Sequence, residues 1–208
     1  MMTMTFSEDI ERCLKAAFTP ERVASNEIQQ HEWELRTFLG LVQSELKPER
    51  TVELGTYKGW TAAILSLVTS RYTVSVDIVD HRINEAWRYS NLLATIHDDA
   101  CTPDCVTKAI SLLGGPIDLL FIDDGHYYEQ IVKEFELWSP HVRPGGWIVF
   151  HDINPLANIG PHGTQPDCIQ VPRFWKELQG NKQEIIATDE HKAFRGALPH
   201  GGLGILKL

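Results

Sequence analysis

The chain has 208 residues, a length that suits one domain with a sizeable hydrophobic core. Its formal net charge of −9 argues against binding to nucleic acid through the backbone phosphates. No run of about 20 apolar residues is present, and the N-terminus lacks the basic flank and apolar stretch of a secretory signal. The cysteines Cys13, Cys101, Cys105 and Cys168 lack the spacing of a zinc site. These features predict a cytoplasmic protein with free thiols and no membrane association.

Residues 1–46 carry the pattern of short helices. A break at Thr19 and Pro20 separates the first pattern from the next, and apolar residues at helical spacing predict a longer helix within 26–46. We expect residues 1–46 to form a helical cap on one side of the pocket of the same single domain, which spans 1–208.

From residue 51 onwards, predicted strands alternate with predicted helices. The strands of this series are 51–54, 73–77, 92–97, 117–122 and 147–151. Such alternation is typical of a parallel sheet with helices on both faces. Two further strands, 184–188 and 202–208, have no long helix between them, so they should pair antiparallel. The fold class is therefore α/β, with a mostly parallel seven-stranded sheet and an antiparallel C-terminal hairpin.

The first strand of the series ends in Glu53 and runs into a turn bracketed by Gly55 and Gly59. Glycine has no Cβ, so such a turn lets a ligand approach the backbone. The next strand ends in Asp77, and an acid at that position suits the hydroxyls of a ribose. The two strand ends together indicate a cofactor that contains a nucleoside.

This turn differs from the common nucleotide-binding turns. A dinucleotide fingerprint needs a glycine where this chain has Tyr57, and a phosphate-binding loop ends in Gly-Lys-Ser/Thr rather than Gly-Trp-Thr. Glu53 would repel a pyrophosphate, but it could bind the cationic amino group of S-adenosylmethionine directly or through water. An ordinary strand–turn–helix corner is the alternative without a ligand.

A second group of polar residues follows the fourth and fifth strands of the series. Asp123, Asp124 and His126 follow the fourth strand, and His151 and Asp152 end the fifth. Because the carboxyl ends of parallel strands meet at one edge of a sheet, these side chains should converge. Carboxylates grouped in this way bind a hard cation or share a proton. Alternatively, single members of the group cap the adjoining helix or turn.

Both segments resemble those of a known enzyme family. Residues 53–61 are similar to the first motif of class I methyltransferases, in particular the catechol O-methyltransferase-like branch. Phe-Ile-Asp-x-x-His-x-Tyr-Glu at 121–129 and Pro-Gly-Gly-x-x-x-x-His-Asp at 144–152 resemble the bacterial family of cephalosporin-hydroxylase-like and macrolide-sugar O-methyltransferase proteins. The resemblance runs from about residue 32 to the C-terminus and implies a Rossmann-like class I methyltransferase fold.

The resemblance also implies roles for individual residues. It places S-adenosylmethionine against eight positions: Glu53, Gly55, Tyr57, Gly59, Thr61, Asp77, Asp99 and Asp123. It places a divalent cation, Mg²⁺ or Mn²⁺, at Asp123, His151 and Asp152, and a histidine ligand favours Mn²⁺. His126 is the expected general base, since imidazole titrates near neutral pH, and Asp123 is the second expected catalytic residue.

We therefore expect a methyltransferase that acts on a hydroxyl of a small molecule, in a chain that could form a homo-oligomer. The Pro/Gly-rich segment 153–170 is the expected substrate lid. One alternative is an NAD-linked oxidoreductase, against which the missing second glycine and the C-terminal hairpin count. Another is a methyltransferase-like domain that binds cofactor without catalysis. The remaining histidines are expected at the surface: His31, His81, His97, His141, His162, His191 and His200.

Overall fold

The structure is a computed structural model that describes residues 6–80, 85–89, 93–155, 159–160, 163–164, 170–191 and 201–208. Some expectations concern other positions: His81, His162, His200, Cys168 and most of the segment 153–170 lie outside the described residues. The substrate lid therefore stays a prediction. None of the helices in the described ranges combines the length and the apolar character needed to cross a membrane.

The N-terminal part of the chain is helical, with helices α1 (Glu8–Ala17), α2 (Pro20–Ala24) and α3 (Glu32–Leu41), and a π-helical turn extends α3 to Leu46. The Oγ1 atom of Thr19 accepts a hydrogen bond from the N–H of Arg22 and caps α2, which confirms the break there. The longer helix begins at residue 32, later than the pattern suggested. Asn26 has a φ of 58°, which helical residues do not adopt, so 26–31 form an irregular segment.

The remaining helices alternate with strands as expected. The strands are β1 (Arg50–Leu54), β2 (Tyr72–Asp77), β3 (Leu93–His97), β4 (Ile117–Ile122), β5 (Val142–His151), β6 (Ile159–Gly160), β7 (Gly163–Thr164), β8 (Asn181–Ile185) and β9 (Leu203–Lys207). The helices are α4 (Trp60–Val68), α5 (Pro103–Leu113), α6 (Tyr128–Trp138) and α7 (Gln170–Glu177). The strand that was expected at 184–188 lies three residues earlier, and β5 begins five residues before the expected start.

The main sheet has seven strands in the order β3-β2-β1-β4-β5-β9-β8. Strands β1 to β5 are parallel, whereas β9 pairs antiparallel with both β5 and β8. The mostly parallel sheet with an antiparallel C-terminal hairpin is thus confirmed. The short strands β6 and β7 pair with each other in a separate ribbon.

Each face of the sheet is covered by helices, and each face has its own hydrophobic core. Leu119 and Phe121 of β4 belong to the core under α1, α3 and α4, whereas Leu120 and Ile122 belong to the core under α5, α6 and α7. Because both faces are covered, β4 is apolar at nearly every position instead of alternating. The parallel register brings the carboxyl ends of β1, β2, β4 and β5 to one edge of the sheet, where the polar side chains lie.

Candidate active site

The turn between β1 and α4 is tightly packed against the end of β4. Gly55 has a φ of 92°, and a Cβ on it would lie 2.0 Å from the carbonyl oxygen of Asp123. Gly59 has a φ of 85°, and a Cβ there would lie 3.2 Å from the ring of Trp87. Both glycines are therefore required by the packing of the protein itself. The expectation that the cofactor approaches the backbone at these glycines stays a prediction.

Two of the expected cofactor acids brace this turn. Glu53 is fully buried beneath it and accepts a hydrogen bond from the Oγ of Ser75. Asp77 accepts hydrogen bonds from the backbone N–H of Tyr57 at 2.8 Å and of Val79 at 3.0 Å. The first of these bonds supports Tyr57 in the left-handed region, with a φ of 45°. The residues with expected cofactor contacts thus also hold the turn in shape.

A cleft opens beside the N-terminus of α4, and we call it the α4 cleft. It is lined by Ile28 and Gln30 of the irregular segment, by the turn from Gly55 to Thr61, and by Asp123. The first N–H groups of a helix attract anions, so a carboxylate suits this position. A second cleft, the α6 cleft, lies beside Ile78, Asp99, Cys101, Asp124 and Gln130.

The ends of β4 and β5 bring four polar side chains together, which we call the acid–histidine group: Asp123, His126, His151 and Asp152. Nε2 of His126 lies 2.6 Å from Oδ2 of Asp152. Nδ1 of His151 lies 3.0 Å from Oδ1 of Asp123 and 3.2 Å from Oδ2 of Asp152. The convergence expected from the sequence is therefore present, and Asp123 belongs to both this group and the α4 cleft.

Comparison with known proteins agrees with this architecture. Residues 52–153 match the family model described as a methyltransferase domain. A crystal structure of an O-methyltransferase from Bacillus cereus in complex with S-adenosylhomocysteine superposes with a TM-score of 0.65, covering 98% of this chain and 92% of that one at 16% identity. Residues 52–153 thus belong to a methyltransferase domain, and the fold of the chain is that of the class I methyltransferases.

Two further similarities are to MycE and to demethylmacrocin O-methyltransferase. The methyltransferase MycE of the mycinamycin pathway, in complex with Mg, S-adenosylhomocysteine and mycinamycin VI, gives a TM-score of 0.61 at 17% identity, over 97% of this chain and 54% of that one. Demethylmacrocin O-methyltransferase of Streptomyces fradiae is 34% identical over 61 residues, which are 29% of this chain and 15% of the relative. The chain spans less than a third of the length of the curated relatives it matches.

The charges of the acid–histidine group of the methyltransferase are strongly coupled. Burial alone would lower the pKa of His151, but the carboxylates of Asp123 and Asp152 raise it well above its usual value. Burial would raise the pKa of Asp152, yet His151 and His126 lower it. Burial would also lower the pKa of His126, but the hydrogen bond to Asp152 and the charges of Asp152 and Asp123 together raise it. The group therefore keeps a carboxylate charge in a largely buried position.

The described residues contain one set of side chains in this group whose ligand atoms all lie within 4.8 Å of one another: Asp123, His126 and Asp152. Two carboxylate oxygens and one imidazole nitrogen suit Mn²⁺ or a similar transition metal. The expected set had His151 where this set has His126. His151 is only 5% exposed and lies beside both carboxylates.

Asp152 of the methyltransferase has an uncommon backbone conformation. Its φ is 63°, in the left-handed region that Asp adopts more readily than most residues. Gly201 packs directly against it, since a Cβ on Gly201 would lie 2.1 Å from Oδ1 of Asp152. Such conformations persist where the surroundings enforce them, and they cluster at functional sites.

The capping alternative is not supported for the helix that follows β4. The first residue of α6, Tyr128, donates its backbone N–H to Oε1 of Gln170 at 2.5 Å. His126 instead contacts Asp152, and Asp124 lines the α6 cleft. A residue from α7 therefore supplies the cap that the sequence allowed for Asp124 or His126.

Several residues at the site were not foreseen from the sequence. Gln30 contacts Asp123, and Glu34 of α3 is buried and accepts a hydrogen bond from the N–H of Ala187 at 2.7 Å. His31 is fully buried, so its expected surface position was wrong, and burial lowers its pKa to about 4. These residues precede or begin α3, where the sequence has no motif that would have revealed them.

Proposed function

We propose that this methyltransferase transfers the methyl group of S-adenosylmethionine to a hydroxyl of a small molecule, with a divalent cation at the acid–histidine group. The observation that carries the proposal is the position of Asp123. Its carboxylate lines the α4 cleft and also lies 3.0 Å from His151 in the acid–histidine group. A donor in the cleft and an acceptor at the group would therefore lie next to each other, as in-line transfer requires.

The two clefts offer complementary chemistry for the two ends of the cofactor. The N-terminus of α4 suits the carboxylate of the methionine part. Asp77 accepts hydrogen bonds from Tyr57, which lines the α4 cleft, and from Val79, which follows Ile78 of the α6 cleft. Its oxygens suit the ribose hydroxyls. Asp99 and Asp124 line the α6 cleft, where the adenine would lie.

His126 is the proposed general base. Its Nε2 lies 2.6 Å from Oδ2 of Asp152, so the carboxylate orients the ring and stabilises the imidazolium formed when a proton is taken up. The side chain of His126 is 27% exposed, so a substrate can reach the ring. Asp152 is in turn held by its left-handed backbone and by Gly201.

The residues present fit a divalent cation. Asp123 and Asp152 would hold it, and His126 is near enough to be a third ligand. Such a cation lowers the pKa of a bound hydroxyl and orients it. A histidine that binds the metal cannot act as the base at the same time, so the two roles of His126 make different predictions. His126→Ala should weaken Mn²⁺ binding if the residue is a ligand, and should leave it unchanged if the residue is the base.

The acceptor proposed is a small molecule. MycE forms a complex with mycinamycin VI, and demethylmacrocin O-methyltransferase is named for demethylmacrocin. The net charge of −9 also disfavours nucleic acid as the acceptor. We propose in addition a cytoplasmic location and no membrane partner.

The proposal is tested by thermal unfolding with S-adenosylhomocysteine, with NAD and with buffer, each with and without Mn²⁺ or Mg²⁺. A ligand at about 100 times its dissociation constant stabilises the folded state by roughly 2.7 kcal/mol, which raises the midpoint by several degrees. We expect a rise with S-adenosylhomocysteine and a further rise with Mn²⁺. A rise with NAD alone would favour an oxidoreductase. Cofactor binding without methylation in a broad acceptor screen would favour a non-catalytic domain.

A further inference from the structure

Gln30 forms an unusual polar bridge between distant parts of the chain. It lies in the irregular segment before α3 and is only 4% exposed. Its Nε2 donates a hydrogen bond to Oδ2 of Asp123, and its Oε1 accepts one from the Oγ1 of Thr61 at 2.6 Å. One buried amide thus contacts both a residue of the acid–histidine group and the first turn of α4.

The bridge determines how the Asp123 carboxylate is oriented. Oδ2 of Asp123 binds Gln30, while Oδ1 lies 3.0 Å from Nδ1 of His151. The carboxylate is therefore held from two sides, and it cannot rotate without losing one of these contacts. The first contact is a hydrogen bond to a charged group and the second is an ion pair, so both favour one orientation of the carboxylate.

The other end of the bridge lies at the α4 cleft. Thr61 is in the first turn of α4, where the backbone N–H groups face the cleft. A ligand that binds there changes the surroundings of Thr61, and Gln30 connects Thr61 to Asp123 without an intervening residue.

We propose that Gln30 is a positioning residue that fixes the Asp123 carboxylate relative to the first turn of α4 and so couples cofactor binding to cation binding. This inference rests on the proposed function. Glutamine suits the role because its amide supplies one donor, for Asp123, and one acceptor, for Thr61. Glutamate at this position would place a second carboxylate against Asp123, and leucine would fill a similar volume without either hydrogen bond.

The test compares Gln30→Leu with Gln179→Leu in the full chain. Gln179 has the same side chain, is exposed to solvent and does not line either cleft. The dissociation constant of S-adenosylhomocysteine is measured by titration calorimetry, and that of Mn²⁺ by electron paramagnetic resonance of the free ion. Each is measured with and without the other ligand, because coupling between two sites is reciprocal.

We expect Gln30→Leu to weaken Mn²⁺ binding about 10-fold, which corresponds to about 1.4 kcal/mol, and to abolish the effect of each ligand on the other. Gln179→Leu should behave as the wild type. Thr61→Val removes only one hydrogen bond, so it should abolish the coupling while weakening Mn²⁺ binding less. This variant keeps the test valid if Gln30→Leu folds poorly.

Different outcomes would contradict different parts of the argument. A lower melting temperature of Gln30→Leu with both dissociation constants and their coupling unchanged would mean that Gln30 is merely structural, and would overturn the inference. If the wild type binds S-adenosylhomocysteine but not Mn²⁺, the coupling and the proposed cation are both wrong, while methyl transfer stands. If the wild type binds neither, the proposed function fails together with the inference.

Discussion

Two groups of buried and partly buried acids differ in their partners: Asp123 and Asp152 lie beside histidines, whereas Glu53 and Glu134 do not. In the first group, Asp152 lies beside His126 and His151, and these histidines lower its pKa. In the other group, Glu134 of α6 is fully buried and forms no ion pair with any of the described residues, and burial and the charge of Asp124 raise its pKa to about 8. The two environments thus push the pKa values of similar groups in opposite directions.

This difference indicates that the two groups of acids have different roles. Where histidines are present, the carboxylate stays charged and can hold a cation or orient a base. Where they are absent, the carboxyls of Glu53 and Glu134 favour the neutral form, and the pKa of Glu53 is raised well above its usual value. A neutral carboxyl can donate a hydrogen bond and adds no negative charge to the protein interior.

The largest expected effect comes from removing the charge of Asp152. Asn tolerates the left-handed backbone at this position, so Asp152→Asn should fold normally. Without the carboxylate, His126 loses the group that orients it, and we expect kcat for methyl transfer to fall about 10²- to 10³-fold. The measurement is transfer to the acceptor found in the screen, with circular dichroism as the folding check. Asp9→Asn, which removes a surface ion pair with Arg12, is the control and should retain full activity.

The second prediction concerns His151→Leu, which removes a histidine from beside Asp123 and Asp152. His151→Leu leaves Asp123 and Asp152 without the imidazolium between them, and breaking a buried ion pair costs about 3 kcal/mol. We expect the free energy of unfolding in urea to fall by this amount at pH 7. The loss should be smaller at pH 4, where protonation removes the repulsion between the acids. Equal losses at the two pH values would contradict the electrostatic account.

The third prediction concerns the raised pKa of Glu134, which should make the free energy of unfolding depend on pH. The folded pKa of Glu134, about 8, lies above its ordinary value, so the folded state binds the proton more tightly than the unfolded state. Glu134 therefore destabilises the fold progressively as the pH rises from about 4.5 to 8. Glu134→Gln removes this cost, keeps an acceptor for Gln130, and should stabilise the protein by about 2 kcal/mol at pH 8 but not at pH 4.

The matched control for this experiment is Glu136→Gln, because Glu136 lies on the same helix and is exposed. Its urea midpoint should follow that of the wild type at both pH values. If Glu134→Gln gave the same small change as the control, the carboxyl of Glu134 would be ionised at neutral pH, and the contrast between the two groups would disappear.

The smallest expected effect concerns Asp124, which burial and the charge of Asp77 bring to a pKa of about 6. Its folded pKa is also above the ordinary value, so it destabilises the fold as the pH rises from about 3.8 to 6. Asp124→Asn should therefore stabilise the protein by about 1 kcal/mol at pH 7, measured by urea unfolding. A loss of stability at pH 7 would mean that Asp124 makes a favourable ionic contact.

The sequence was informative where periodicity and chain order determine the structure. The parallel sheet, the glycine turn and the convergence of Asp123, His126 and Asp152 follow from strand ends that must meet at one edge. The bounds of β8 were harder to predict, because this edge strand pairs on one side only and is polar over most of its length. The start of β5 was also predicted too late, and the register between β4 and β5 is irregular at that end.

The contacts of Gln30, His31 and Glu34 could not have been found from the sequence. They depend on an irregular segment that begins at the left-handed Asn26 and on contacts with residues far away in the chain. No local pattern encodes such contacts, because they are set by how the α3 region packs on the finished sheet. Part of the site is therefore a property of the tertiary structure alone.

The position of β9 has a consequence for how the protein is made. Leu203–Lys207 follows every other described strand in the chain, yet it lies inside the sheet, between β5 and β8. Until the ribosome has released this segment, the backbone edge of β5 has no partner and can pair with another chain. The nascent polypeptide should thus be prone to aggregation until residues 203–207 have left the ribosome.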